Sequence, residues 1–179
     1  NLQSAEIDDP KAGQKFRESQ DRVRAMALIH ERLYQSSDLA KIDFSGYVRN
    51  LTGHLLRSYR VDANRVRLNL EVDPVPMSLD VAIPCGLIIN ELVSNSFKYA
   101  FPDGASGEIK VRFGEANGNG LKLLVRDNGV GLPEGTNPEE SDSLGLKLVR
   151  SLTEQLGGTL RYSSQNGFTC EISIPNTKN

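Results

Sequence analysis

The segment Asn90-Glu91-Leu92-Val93-Ser94-Asn95-Ser96-Phe97-Lys98-Tyr99-Ala100 constrains this chain more than any other. At about 100° per residue it reads as a helix with two faces. Glu91, Asn95 and Lys98 share one narrow arc, at i, i+4 and i+7. Cys85, Ile89, Leu92, Val93, Tyr99 and Ala100 fall on the other side, where they can pack against a sheet. A carboxylate, an amide and an ammonium on one wall suit a magnesium–polyphosphate ligand. Oxygen donors suit a hard cation that keeps several waters, and a lysine supplies a point charge for phosphate. A solvated face on an amphipathic helix accounts for the same residues equally well. The segments downstream decide between the two.

Charge excludes some partners. The 179 residues carry 21 basic and 23 acidic side chains, a net charge of −2, which argues against nucleic acid as a ligand. No apolar run approaches the roughly 20 residues of a membrane span, so no membrane contact is expected of this segment. Cys85 and Cys170 form no motif spacing and read as small buried hydrophobes in a reducing cytoplasm. His30 and His54 are too few and too isolated for a zinc site.

Helical spacing runs from about Lys11 to Gln35, through Phe16, Val23, Met26, Ala27, His30, Leu33 and Tyr34. So narrow a stripe resembles a bundle seam, and an intermolecular four-helix bundle is expected to cover it. His30 lies on the stripe and reads as a packed residue, not a phospho-acceptor. Asp43 can cap a helix from Phe44 to about Arg60. Val66–Val72 alternates as a half-buried strand that Pro74 and Pro76 end. Asp80 can cap the helix that carries Asn90–Ala100. Ile109, Val111 and Phe113 alternate in the next strand, which pairs through Asn117–Gly120 with Leu121–Arg126. Leu148, Val149, Leu152 and Leu156 mark a helix ending at Gly157-Gly158, and Thr159–Tyr162 pairs with Phe168–Ile174 as a last hairpin.

Two glycine-bearing motifs follow strands or open helices. Asp127-Asn128-Gly129-Val130-Gly131 comes straight after a strand, which holds a carboxylate beside a loop whose glycines admit a ligand closely. Such an aspartate, accepting from an exocyclic amine, would recognise adenine; an ordinary Asx turn is the plainer reading. Ser143-Leu144-Gly145-Leu146 opens a helix whose free N–H groups make a phosphate site. Between them, Pro133–Asp142 has no apolar anchor and sits where a lid would.

Taken in order, E-x-x-x-N-x-x-K, D-x-G-x-G after a strand, a short lid and L-G-L at a helix start resemble the ATP-binding domain of sensor histidine kinases, gyrase, a heat-shock chaperone and mismatch-repair ATPases. Asn90–Ala100 is similar to the N box, Asp127–Gly131 to the first glycine box and Ser143–Leu146 to the second. Gly167-Phe168-Thr169 is a weaker match to a final glycine/threonine motif. Within that superfamily the chain looks most like a two-component histidine kinase, and Asn1-Leu2-Gln3 resembles the end of the phospho-acceptor motif. The resemblance implies an α/β two-layer sandwich of the Bergerat type, a mixed sheet covered by three helices. A partial dimerisation hairpin over 1–36 would precede an ATP-binding catalytic domain over 37–179. It implies ATP and magnesium as ligands, a homodimer, and a response-regulator receiver domain as partner. Asn95 would ligate magnesium, and Lys98 would contact phosphate. Asp127 would bind adenine, and Gly129, Gly131, Gly145, Leu146 and Thr169 would complete the ATP site. Glu91 would join Asn95 in catalysis, and the acceptor histidine would lie upstream of Asn1. The alternatives are a hydrolytic ATPase with Glu91 as general base, or a non-enzymatic nucleotide-responsive module.

Overall fold

The computed structural model describes residues 16, 19–20, 22–25, 27, 43–116, 120–141 and 143–176. Most of the predicted helix over 11–35, His30 within it and the hairpin tip at 117–119 therefore lie outside the described residues. The N-terminal residues that are described are helical.

Helix α1 spans Phe44–Ser58, and Asp43 caps it as expected, its Oδ1 accepting from the Gly46 N–H at 2.8 Å. Phe44, Tyr47, Val48, Leu51 and Leu55 repeat at helical spacing and are all buried. Strand β1 spans Val66–Val72, and helix α2 runs over Leu79–Tyr99. Here the expected cap is corrected. Ser78 occupies the N-cap position without a side-chain cap bond, and Asp80 lies within the first turn, where its charge still favours the helix dipole. A 3-10 turn over Pro102–Gly104, strands β2 (Gly107–Glu115) and β3 (Gly120–Asp127), helix α3 (Leu144–Gln155), and strands β4 (Thr159–Ser163) and β5 (Thr169–Pro175) follow.

The sheet order is β1-β2-β3-β5-β4. β1 and β2 are parallel, with Val66 opposite Gly107, and α2 is the crossover such a pair requires. The other three pairings are antiparallel. The inward parity is unbroken across the centre of the sheet. Ile109, Val111 and Phe113 of β2, Leu123 and Val125 of β3, and Cys170, Ile172 and Ile174 of β5 are all buried. α2 packs against α1 and α3 and against β2 and β3, and Phe44 of α1 meets Phe113 of β2 at 4.7 Å between ring centroids. The mixed sheet under helices matches the expected two-layer architecture.

Candidate functional site

The inward parity of β3 continues past Leu123 and Val125 to Asp127, so the strand delivers a carboxylate to the helix-facing layer. Asp127 is only 3% exposed, and a buried charge needs donors. It has three. Ser96 Oγ of α2 donates to Oδ2 at 2.8 Å, and the N–H groups of Gly129 and Phe168 donate to Oδ1 at 3.1 and 3.0 Å. Oδ1 is thereby committed to the protein, while Oδ2 accepts one of these bonds and has a lone pair left for a ligand donor. The loop closes tightly behind it. The Val130 N–H donates to the Ala100 carbonyl at 3.0 Å, and a Cβ at Gly129 would overlap that same carbonyl oxygen.

Asp127 opens onto a cavity of 1180 Å³, ample for a nucleotide-sized ligand when ligand pockets run about 300–1,000 Å³. α2 lines it with Glu91, Asn95, Ser96 and Tyr99. The glycine loop adds Val130 and Gly131, the lid adds Pro133, Thr136 and Ser141, and the start of α3 adds Ser143 to Leu146. Ser143 caps α3, its Oγ accepting from the Leu146 N–H at 3.4 Å. The first-turn N–H groups of Leu144 and Gly145 have no partner within the helix, as the geometry of any helix start dictates. Gly145 lies so close to α2 that a Cβ there would stand 2.9 Å from Glu91 Oε2 and 3.5 Å from Asn95 Nδ2. The carboxylate, the amide and the helix N-terminus therefore converge on one end of the cavity, with Asp127 on the same lining.

Of the residues picked from sequence, the structure gathers Glu91, Asn95, Asp127, Gly131, Gly145 and Leu146 on one lining. It does not gather Lys98, Gly129 or Thr169. Lys98 lies about 10 Å along the helix from Glu91 at 1.5 Å per residue, and its ammonium sits over the Tyr59 ring, 5.6 Å from the centroid. Gly129 serves the loop closure. Thr169 is a strand residue paired with Arg126 and Ser163. Tyr99, expected against the sheet, is 60% exposed and lines the cavity, and Glu91, expected on an open arc, is buried. Sequence reasoning missed Ser96, Phe168, Ser19 and Arg22. Ser96 lay inside the segment first singled out; Arg22 has no local signal, because it meets Glu91 across 69 positions, Nε to Oε1 at 2.7 Å and Nη2 to Oε2 at 2.8 Å.

The lid is not unanchored. The Arg150 guanidinium of α3 donates to the Pro138 and Ser141 carbonyls, both at 3.0 Å. The two cysteines are buried as expected, and burial pushes both thiols up to about 12. Among the described residues no group of three or more His, Cys, Asp or Glu could hold a metal by itself, and no helix is long and apolar enough to cross a membrane.

The family described as histidine kinase-, DNA gyrase B- and HSP90-like ATPase matches residues 80–178, and the histidine kinase family HisKA_2 matches residues 1–59. Sensor histidine kinase PdtaS of Mycobacterium tuberculosis is 31% identical over 178 residues, covering 97% of this chain and 35% of that protein. Blue-light-activated histidine kinase 2 of Erythrobacter litoralis is 28% identical over 172 residues, covering 91% and 48%. The chain thus spans about a third to a half of these curated relatives. The solved histidine kinase domain of the blue-light activated kinase from Erythrobacter litoralis superposes with a TM-score of 0.79 at 27% identity, over 88% of this chain and 74% of that one. The match over 80–178 takes in Asp127 and the cavity wall of α2, the glycine loop and the start of α3, and it extends over more than half of the residues. This chain belongs to the histidine kinase-, DNA gyrase B- and HSP90-like ATPase family, and carries a histidine kinase segment of the HisKA_2 type ahead of its ATP-binding domain.

Proposed function

We propose that these residues are the ATP-binding catalytic core of a sensor histidine kinase, which passes the γ-phosphoryl group of ATP to a histidine other than His30 and His54 for relay to a response-regulator receiver domain. One observation carries the reading. Asp127, buried at a strand tip with an acceptor lone pair left, lines the same cavity as Glu91, Asn95 and the first turn of α3. Asp127 Oδ2 would accept from the adenine amine. The N–H groups of Leu144 and Gly145, at the positive end of the α3 dipole, would take the phosphates.

Asn95 would hold magnesium, and the site fits that ion. The half-buried amide faces Gly145 at the phosphate end, and magnesium takes one or two protein oxygens and completes its shell with phosphates and water. When bound, the ion neutralises charge on the β- and γ-phosphates. The division at 36/37 and dimerisation through the helical hairpin belong to the same proposal. The dimerisation surface is supported by Val23, on the predicted seam, being 66% exposed.

Calorimetric titration with ATP and with GTP, in magnesium, tests the nucleotide site. ATP binding with clear preference over GTP is the expected result, and no ATP binding would refute it. Incubation with labelled ATP tests the acceptor. Label stable to base and lost in acid on His30 or His54 would contradict the assignment of the acceptor elsewhere.

A further inference from the structure

Glu91 is 4% exposed on the α2 wall of the cavity, and both oxygens of its carboxylate accept hydrogen bonds. Arg22 grips both oxygens in a fork, and the Asn90 side-chain amide adds a bond to Oε1 at 3.3 Å. The side chains of the pair are 15% and 6% exposed, so water screens it little. Among the described residues lining the cavity the charged side chains are Arg22, Glu91 and Asp127. The single cation of that lining is thus spent on a carboxylate placed where a general base would stand.

We propose that Arg22 is a positioning residue that keeps Glu91 from activating water, so that bound ATP retains its γ-phosphoryl group for a protein acceptor. This rests on the nucleotide-site reading above. The reaction it suppresses is hydrolysis. In that reaction Glu91 takes a proton from water, the water oxygen bonds to the γ-phosphorus, and the bridging P–O bond breaks with its electron pair leaving on ADP. A carboxylate forked onto a guanidinium is held facing that cation, its charge already matched there, and is a poorer acceptor for a proton from that water. The restraint would be released by movement of the N-terminal helical segment, which carries Arg22 69 positions before Glu91. That segment is docked beside the site by the Tyr47 hydroxyl, which donates to the Ala25 carbonyl at 3.3 Å, and by Ala25 packing in the core. Displacing the segment would withdraw Arg22 and free Glu91 in one movement.

The test compares phosphate release at saturating magnesium–ATP by the wild-type chain and by Arg22→Ala, Arg22→Lys, Glu91→Gln and the Arg22→Ala/Glu91→Gln double variant. ATP affinity is measured calorimetrically for each. Arg22→Ala is expected to release phosphate at least about tenfold faster than wild type, since a positioned general base contributes about 10²–10⁴-fold. Arg22→Lys, whose single ammonium cannot fork across both oxygens, is expected to fall between. The double variant is expected to return to the Glu91→Gln rate. Release no faster than wild type in a variant that still binds ATP would overturn the proposal, as would fast release persisting in the double variant. If Arg22→Ala fails to fold, Arg22→Lys decides by the same criterion. Failure of the wild-type chain to bind ATP would instead remove the nucleotide site, and this inference with it.

Discussion

Asp127 carries two duties that one substitution separates. It ties β3 to the loop at Phe168 and to α2 through Ser96, and it is the acceptor offered to the ligand. Asp127→Asn keeps the size and loses the charge. It is expected to weaken ATP binding by about 1.5–3 kcal/mol, or roughly ten- to a hundredfold, by removing a charge-assisted bond. Titration calorimetry reads this directly, and unchanged affinity would take Asp127 out of the site. Asp127 was legible in the sequence because a strand of clean alternation ran straight into Asp-Asn-Gly. Its partner Ser96 was not, because nothing in Asn-Ser-Phe says which serine meets a strand 31 positions later. Lys98, read on the same arc as Glu91, lies apart from the cavity lining for a related reason. Angular position on a helix ignores the rise along its axis, and Tyr59 of the neighbouring chain segment takes the ammonium.

At the scale of elements, the lid is tied to α3. The polar segment from Pro133 to Asp142 reads as mobile because it has no apolar residue to bury. Arg150 nonetheless fastens it through two backbone carbonyls, a bond pattern that side-chain chemistry alone does not announce. Arg150→Ala is expected to speed amide exchange between residues 133 and 141 and to weaken ATP binding several-fold, while Thr153 and Leu152 of α3 stay protected. Exchange unchanged in the lid would show that the clamp is dispensable. The loop after β3 gives an opposite case, since there the sequence named the glycine and the structure named its reason. Gly129→Ala forces a Cβ into the Ala100 carbonyl, a backbone group that cannot rotate away. A drop in melting temperature is expected, of several degrees for a cost of about 1–3 kcal/mol. A variant as stable as wild type would mean that the loop relaxes freely.

For the whole molecule, the two buried thiols couple the core to alkaline pH. Their ordinary value is 9.0, and burial raises both to about 12. Between those values the folded chain holds protons that the unfolded chain has lost. Stability from this source is therefore complete below about pH 9 and declines as pH rises toward 12, by up to about 1.4 kcal/mol per pH unit for each thiol. Cys85→Ala is expected to flatten that decline in urea unfolding measured from pH 8.5 to 10.5; an unaltered slope would place an ionised thiol in the folded core. The core over Phe44 to Ile174, which Ala25 joins from the N-terminal segment, follows from period: 3.6 in the helices and 2 in the strands, patterns that any local stretch displays. The sequence by itself therefore determined the order of elements, the helix-on-sheet layering, and the candidate ligands Glu91, Asn95, Asp127 and Gly145. Tertiary structure alone decided which of them share a cavity, that Ser96 and Phe168 hold Asp127, and that Arg22 closes on Glu91. The reason is physical: burial pattern is written in neighbours along the chain, whereas a hydrogen bond or ion pair between distant side chains exists only once the register of strands and the rotation of helices have set them within about 3 Å.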